Sequence, residues 1–188
     1  MLKRHDLISD SQWRVLNYDR AMRRYDYFLY KDYGETLEVG SGVGVFTIML
    51  RQMGVKPITA VDHSEKCIET ANAMLALNGV MDVPIIEGDV NELPFANRSF
   101  DTVVCLEVLE HLWTPHKALE EMARVTRNVG DLYVTCPRQG ILPPSVTPGH
   151  HQDFSVSDLF GLLEDTGWFV YKQFIDEYFQ YFCSRRKS

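Results

Sequence analysis

The short run Thr36–Val39, β-branched at both ends, passes without a spacer into Gly40-Ser41-Gly42-Val43-Gly44 and then into Val45 and Phe46. A strand that turns on glycines directly into a helix is the ligand-bearing corner of an open α/β sheet, where bound molecules lie beyond the carboxyl ends of the strands. Glycines allow the tight turn and let a ligand come close to main-chain N–H groups. The dinucleotide fingerprint G-x-G-x-x-G/A requires Gly or Ala at position 45 or 47, but Val45 and Thr47 stand there. The phosphate-binding G-x-x-x-x-G-K-[ST] pattern is absent as well. Glu38 adds a physical objection: a carboxylate beside the turn repels a pyrophosphate and suits a ligand carrying ammonium and sulfonium charges.

The rest of the chain repeats the alternation that this corner starts. Ile58–Val61, Val83–Ile86, Thr102–Cys105 and Leu132–Thr135 read as buried strands, short and mostly apolar on both faces, as in a parallel sheet. Between them lie helices with recognisable ends. Ser64 is a candidate N-cap with Asn78-Gly79 as the stop, and Thr114 offers a capping hydroxyl before Pro115. The Pro115 helix buries Leu119, Met122 and Val125 and is expected to close near Gly130. Ser155 with Asp158 resembles a capping box, Phe154 and Leu159 form the hydrophobic staple, and Gly167 ends that helix. Trp168 to Cys183 reads as two strands turning near Asp176-Glu177. The expected fold is therefore α/β: a doubly wound, mostly parallel seven-stranded sheet with a C-terminal antiparallel hairpin. Trp13, Leu16, Tyr18, Met22, Tyr25, Phe28 and Leu29 recur at helical spacing, so residues 1–34 are expected to form a helical appendage or lid. Residues 35–188 then form the ligand-binding domain.

The charge of −7 disfavours sequence-independent nucleic-acid binding, which needs a Lys/Arg surface. Basic residues gather at the ends (Lys3, Arg4, Arg14, Arg20, Arg23 and Arg24; Arg185, Arg186 and Lys187), where they form either a solvated face or a dock for an anionic substrate. Cys67, Cys105, Cys136 and Cys183 are far apart and make neither a disulfide framework nor a zinc cluster. With no signal-peptide h-region and no apolar stretch long enough to span a bilayer, a soluble cytoplasmic protein with no membrane partner is expected. No oligomeric state is specified.

Glu38-Val-Gly-Ser-Gly-Val-Gly44 resembles motif I (E/DxGxGxG) of the class I, Rossmann-like S-adenosylmethionine-dependent methyltransferases. Three further segments follow in the family's order. Val61-Asp62-His63-Ser64 is similar to the acidic end of the second strand, about twenty residues after the glycine-rich loop. Asp89-Val90, with Leu93-Pro94-Phe95 and Ser99-Phe100-Asp101, is similar to the run after the third strand. Cys105–Leu112 resembles the EVLEHL segment of the type-11 branch. The resemblance extends over about residues 35 to 175. Asn128 and Val129 depart from it, standing where the family has Pro and Gly.

The resemblance implies S-adenosyl-L-methionine as cofactor. Its methionine end would lie on Glu38, Gly40, Ser41, Gly42 and Gly44, its ribose hydroxyls on Asp62 beside His63, and its adenine near Asp89 and Val90, with Leu106 and Glu107 as further cofactor-binding residues. By chemistry alone Asp62 can also serve as an extra helix-capping group. The donor carries its own electrophile, so the protein's main task is to position a nucleophile, and a general base helps when that nucleophile is a hydroxyl. Candidate bases are His111, at the end of the EVLEHL run, and His150 and His151 in a proline-rich loop after the fifth strand. A structural role for His111 and a surface role for the pair are the alternatives. His150, His151 and Asp153 lack the fixed geometry of a structural zinc site, and no metal is expected. A small-molecule acceptor is favoured because the chain leaves little room for a separate recognition domain. A protein or RNA acceptor, or a catalytically silent cofactor-binding partner subunit, are the alternatives.

Overall fold

The computed structural model describes residues 33–141 and 149–188. The helical appendage expected over 1–34 lies, but for its last two residues, outside the described residues, as do residues 142–148 of the proline-rich loop. The described chain builds seven strands: β1 (Thr36–Val39), β2 (Ile58–Asp62), β3 (Ile85–Glu87), β4 (Phe100–Leu106), β5 (Thr126–Pro137), β6 (Trp168–Ile175) and β7 (Phe179–Arg186). Helices α1 (Val45–Gln52), α2 (Glu65–Leu77), α3 (Pro115–Val125) and α4 (Val156–Asp165) connect them, with a single 3₁₀ turn at Leu109–His111.

The strand order is β3-β2-β1-β4-β5-β7-β6, parallel from β3 to β5 and antiparallel at β5-β7 and β7-β6. From β1 the chain steps outward through β2 to β3, then returns to lay β4 on the opposite side of β1. With right-handed crossovers, this reversal sends successive helices to opposite faces and opens a crevice at the carboxyl ends of β1 and β4. Val39 and Cys105 are paired at that edge. The doubly wound fold with its C-terminal hairpin is thus present.

The core follows the apolar stripes. Leu119, Met122 and Val125 of α3 and Leu159 and Leu163 of α4 join Leu37, Val39, Val103, Leu132 and Val134 in one cluster. Trp168 is fully buried there and satisfies its indole by donating to Leu119 O at 3.2 Å. Ser64 Oγ accepts from Cys67 N at 3.3 Å, and Ser155 and Asp158 make the reciprocal capping box. Asp176 Oδ1 accepts from Tyr178 N and Phe179 N, which sets the hairpin turn where Asp176-Glu177 predicts it. All four cysteines are free, and no helix among the described residues is long and apolar enough to cross a membrane.

Three local expectations fail. First, α3 stops at Val125 rather than near Gly130. The Thr126 hydroxyl donates to Met122 O at 2.6 Å, and Thr126 already pairs with Phe100 as the first residue of β5. The extra residues of β5 are taken up by a register shift between Phe100 and Thr102, with Val129 at φ 59°. Second, Thr114 caps nothing; its hydroxyl donates to Asn91 Oδ1 at 2.9 Å. Third, β3 is displaced toward its carboxyl end, to Ile85–Glu87, because Pro84 has no N–H for the ladder and contributes only its carbonyl, to Ala60 N at 2.9 Å.

Candidate methyl-donor site

The glycine-rich turn is stitched to the end of β2. Gly40 N and Ser41 N both donate to Val61 O, at 2.8 and 3.2 Å, Gly42 N donates to Asp62 Oδ2 at 2.7 Å, and Gly44 N donates to Ser41 O at 2.9 Å. Gly40 has φ 78°, and a Cβ there would lie 2.4 Å from Val108 Cγ2, so only glycine lets the turn sit against the segment leaving β4. Gly44, at φ 83°, is the N-cap of α1, and its Cβ position is filled by Leu75 and Ala71 of α2.

Four main-chain N–H groups of this turn are therefore committed within the protein. A pyrophosphate cradle works by aiming such groups at the ligand. This turn offers close approach and carboxylates instead.

The carboxylates are unusual. Glu38, in β1, is 2% exposed, and its Oε2 is buried without a hydrogen-bond partner. Burial pushes its pKa up to about 7, the Thr47 hydroxyl pulls the other way, and the negative Asp62 adds to the rise. Ser41 Oγ is a second buried, unpartnered oxygen. Unpaired buried acceptors of this kind cost about 1–3 kcal/mol each unless a ligand supplies donors. Both stand on residues assigned to the methionine end of the donor, whose ammonium group is a donor of the required charge. On this observation the residues fit S-adenosyl-L-methionine.

Asp62 is buried at the end of β2 and accepts from Gly42 N through Oδ2 and from Ser64 N, at 2.9 Å, through Oδ1. It therefore ties the glycine turn to the start of α2. A carboxylate has about four acceptor sites, so two remain for a diol. His63 is exposed, with Nδ1 3.6 Å from Asp62 Oδ1.

The loop after β3 closes the next side. Gly88 N donates to Asp62 O at 2.9 Å, and Asp89 Oδ1 accepts from both the backbone N and the side-chain amide of Asn91. Val90 packs half-buried against the core. The loop is held from below by Arg124 in the last turn of α3. Its guanidinium donates to Leu93 O, Phe95 O and Asn97 Oδ1 at 2.8–2.9 Å and to both oxygens of Glu121, at 2.7 and 2.8 Å. Glu121 Oε2 in turn accepts from Leu93 N. Arg124 has no place in the site as read from the sequence. Its role here depends on contacts about thirty residues away that no local pattern reveals.

At the end of β4, Leu106 is buried and Glu107 takes φ 57°. Glu107 N donates to Thr135 O at 3.1 Å, and its Oε1 accepts from the Thr135 hydroxyl, locking the ends of β4 and β5 together. The three candidate histidines divide. His111 Nδ1 lies 3.0 Å from Gly149 O, and its ring meets that of His150 edge-on at 4.6 Å. His151 instead stacks on the exposed Trp113, ring centroids 3.7 Å apart. Glu110, buried beneath them, was not singled out in the sequence, although it is the second Glu of the EVLEHL run.

The family profile described as "Methyltransferase domain", type 11, matches residues 37–134. A protein of Mycobacterium tuberculosis named a probable S-adenosylmethionine-dependent methyltransferase is 28% identical over 138 residues, covering 71% of this chain and 48% of that protein. A ubiquinone biosynthesis O-methyltransferase of Neisseria meningitidis is 31% identical over 98 residues, 52% of this chain and 41% of the relative. The chain thus spans about half the length of the curated relatives it matches. A solved structure of a SAM-dependent methyltransferase from Aquifex aeolicus superposes with a TM-score of 0.79 at 21% identity, covering 97% of this chain and 96% of that one, and shares its fold. With over half of its residues matched, the chain belongs to the type-11 methyltransferase-domain family, a class I fold whose implied cofactor is S-adenosyl-L-methionine.

Proposed function

We propose that the chain transfers a methyl group from S-adenosyl-L-methionine to a small-molecule acceptor by in-line displacement at the crevice where β1 and β4 end. The observation that carries this reading is the glycine turn itself. Its N–H groups at 40, 41, 42 and 44 are spent within the protein, while a buried carboxylate oxygen of Glu38 beside it has no partner. Such a site favours a cationic amino-acid tail and rejects a phosphate.

When bound, the donor supplies a methyl group on positively charged sulfur. Glu38 would receive the ammonium end, Asp62 the ribose diol, and the loop carrying Asp89 and Val90 the base, with Leu106 and Glu107 bounding the crevice below. Held there, an acceptor loses the translational freedom that would otherwise dominate its barrier. For a hydroxyl acceptor a proton must also leave. His111 and His150 stand together near this rim, whereas His151 lies flat against Trp113 and is the weaker candidate.

The test is a thermal-shift comparison of S-adenosylmethionine, S-adenosylhomocysteine, NAD and NADP, followed by label transfer from methyl-labelled donor into a metabolite extract. A melting temperature raised only by the first two, with label in small molecules, is the expected result. Stabilisation by NAD alone refutes the donor assignment, and label found only in a protein or RNA fraction refutes the small acceptor.

A further inference from the structure

We propose that Glu110, His111 and His150 form a binding site for a divalent transition-metal ion, Zn²⁺ or Mn²⁺, at the acceptor side of the crevice. Among the described residues they are the one group of His, Cys, Asp or Glu whose ligand atoms all lie within 4.8 Å of one another. Metal–ligand bonds of about 2.0–2.2 Å bring such atoms to roughly 3–3.5 Å apart, so closing the site takes a small side-chain adjustment. His111 is exposed and has room to make it.

The surroundings are built rather than accidental. His111 Nδ1 faces the carbonyl of Gly149 at 3.0 Å. A carbonyl only accepts, so Nδ1 carries the hydrogen, and the neutral ring keeps its lone pair on Nε2. This is the arrangement by which a backbone carbonyl fixes the tautomer of a metal-binding histidine. The segment carrying His150 is pinned to the 3₁₀ turn by two more bonds, His151 N and Gln152 N both donating to Glu110 O at 2.7 and 3.0 Å. Two imidazoles and one carboxylate are thus held by a loop and a turn tied to each other at three points.

Negative charge is concentrated there. Glu107, whose carboxylate accepts from the Thr135 hydroxyl at the end of β4, stands three residues before Glu110. A mixed imidazole–carboxylate set suits Zn²⁺ or Mn²⁺ better than Ca²⁺ or Mg²⁺, which take mainly oxygen ligands and water. Three protein ligands leave open positions for an acceptor oxygen.

This inference rests on the methyltransferase reading for its chemistry and gives the two imidazoles the task of ligands rather than of proton acceptors. It revises the expectation of no metal. A hydroxyl coordinated at the open position would be acidified by the ion and would lose its proton to solvent more readily than a free one. Its oxygen would then bond to the methyl carbon while the carbon–sulfur bond breaks and its electrons return to sulfur, leaving a neutral thioether. The acceptor class is accordingly an alcohol, enol or phenol.

The test uses the full chain, stripped with a chelator and dialysed against Mn²⁺ alone or Zn²⁺ alone, with uptake read by elemental analysis and affinity by calorimetry. The expected result is one ion per chain, with affinity at least tenfold weaker in His150→Ala and in Glu110→Gln. The exposed His116→Ala serves as a control and should be unchanged. Because Glu110 is buried, the His150 variant decides if the Glu110 variant fails to fold. Less than one ion in the wild type, or equal affinity in wild type and His150→Ala, overturns the site. S-adenosylhomocysteine thermal shifts on the same stripped samples separate the two levels. Stabilisation without metal uptake refutes only the ion, whereas no stabilisation refutes the donor reading beneath it.

Discussion

Replacing Glu38 by Gln preserves the shape of the end of β1 and removes a charge that its surroundings resist. The Glu38 carboxyl titrates at about 7 instead of the ordinary 4.5, chiefly because it is buried, with the Thr47 hydroxyl opposing and Asp62 reinforcing the rise. The folded-state value lies above the unfolded one, so the fold favours the protonated acid. Stability is therefore unaffected below about pH 4.5, falls as pH rises between the two values, and is flat above about 7. At about 1.4 kcal/mol per pH unit, the gap between 4.5 and about 7 amounts to about 3 kcal/mol lost by the wild type at alkaline pH. Glu38→Gln should then be more stable than wild type by up to about 3 kcal/mol at pH 8 and equal to it at about pH 4, measured by urea denaturation without ligand. Donor binding should run the opposite way. Wild-type affinity for S-adenosylmethionine should climb as pH approaches 7, and the variant should bind at least tenfold more weakly with no such climb. A variant stabilised equally at both pH values, or one that binds the donor as well as wild type, would refute the reasoning.

Three further substitutions probe separate parts of the molecule. Asp62→Ala removes the acceptor that joins Gly42 N to Ser64 N and should cost about 1–3 kcal/mol of donor affinity by calorimetry; unchanged affinity would make Asp62 a capping group only. Gly40→Ala places a Cβ against Val108 at φ 78° and should destabilise the fold by about 2–3 kcal/mol in denaturant melts, with donor binding falling alongside. Val129→Gly should do the reverse, because an exposed β-branched residue at φ 59° is strained. A gain of about 1 kcal/mol is expected, and a loss would mean that the valine side chain contributes more than its backbone costs.

The parts of this molecule that were legible in its sequence are those governed by neighbours in the chain. The strand–glycine–helix corner, the Ser64 cap, the Ser155–Asp158 box and the Asp176 turn each depend on residues a few positions apart, and each is present. Two of the three failures have a different cause. Thr114 has the right neighbours for a cap, yet its hydroxyl is taken by Asn91, and the α3–β5 boundary is set by pairing with Phe100 across the sheet. The segments proposed to hold the donor were therefore readable as an ordered set of local motifs. The acceptor side was not, because His111 finds its partner in Gly149 and Glu110 holds His151 and Gln152, forty or so residues along the chain.

The Arg124 guanidinium gives the loop proposed to face the adenine a remote support. Leu93, Phe95 and Asn97 are all hung from one side chain, and that side chain belongs to a helix terminus, the place where helices fray first. Fraying of a single turn would loosen the whole wall, so a donor seated as proposed would have its residence time set in part by a helix end outside the assigned site. Amide exchange at residues 93–97 should accordingly keep pace with exchange at the last turn of α3.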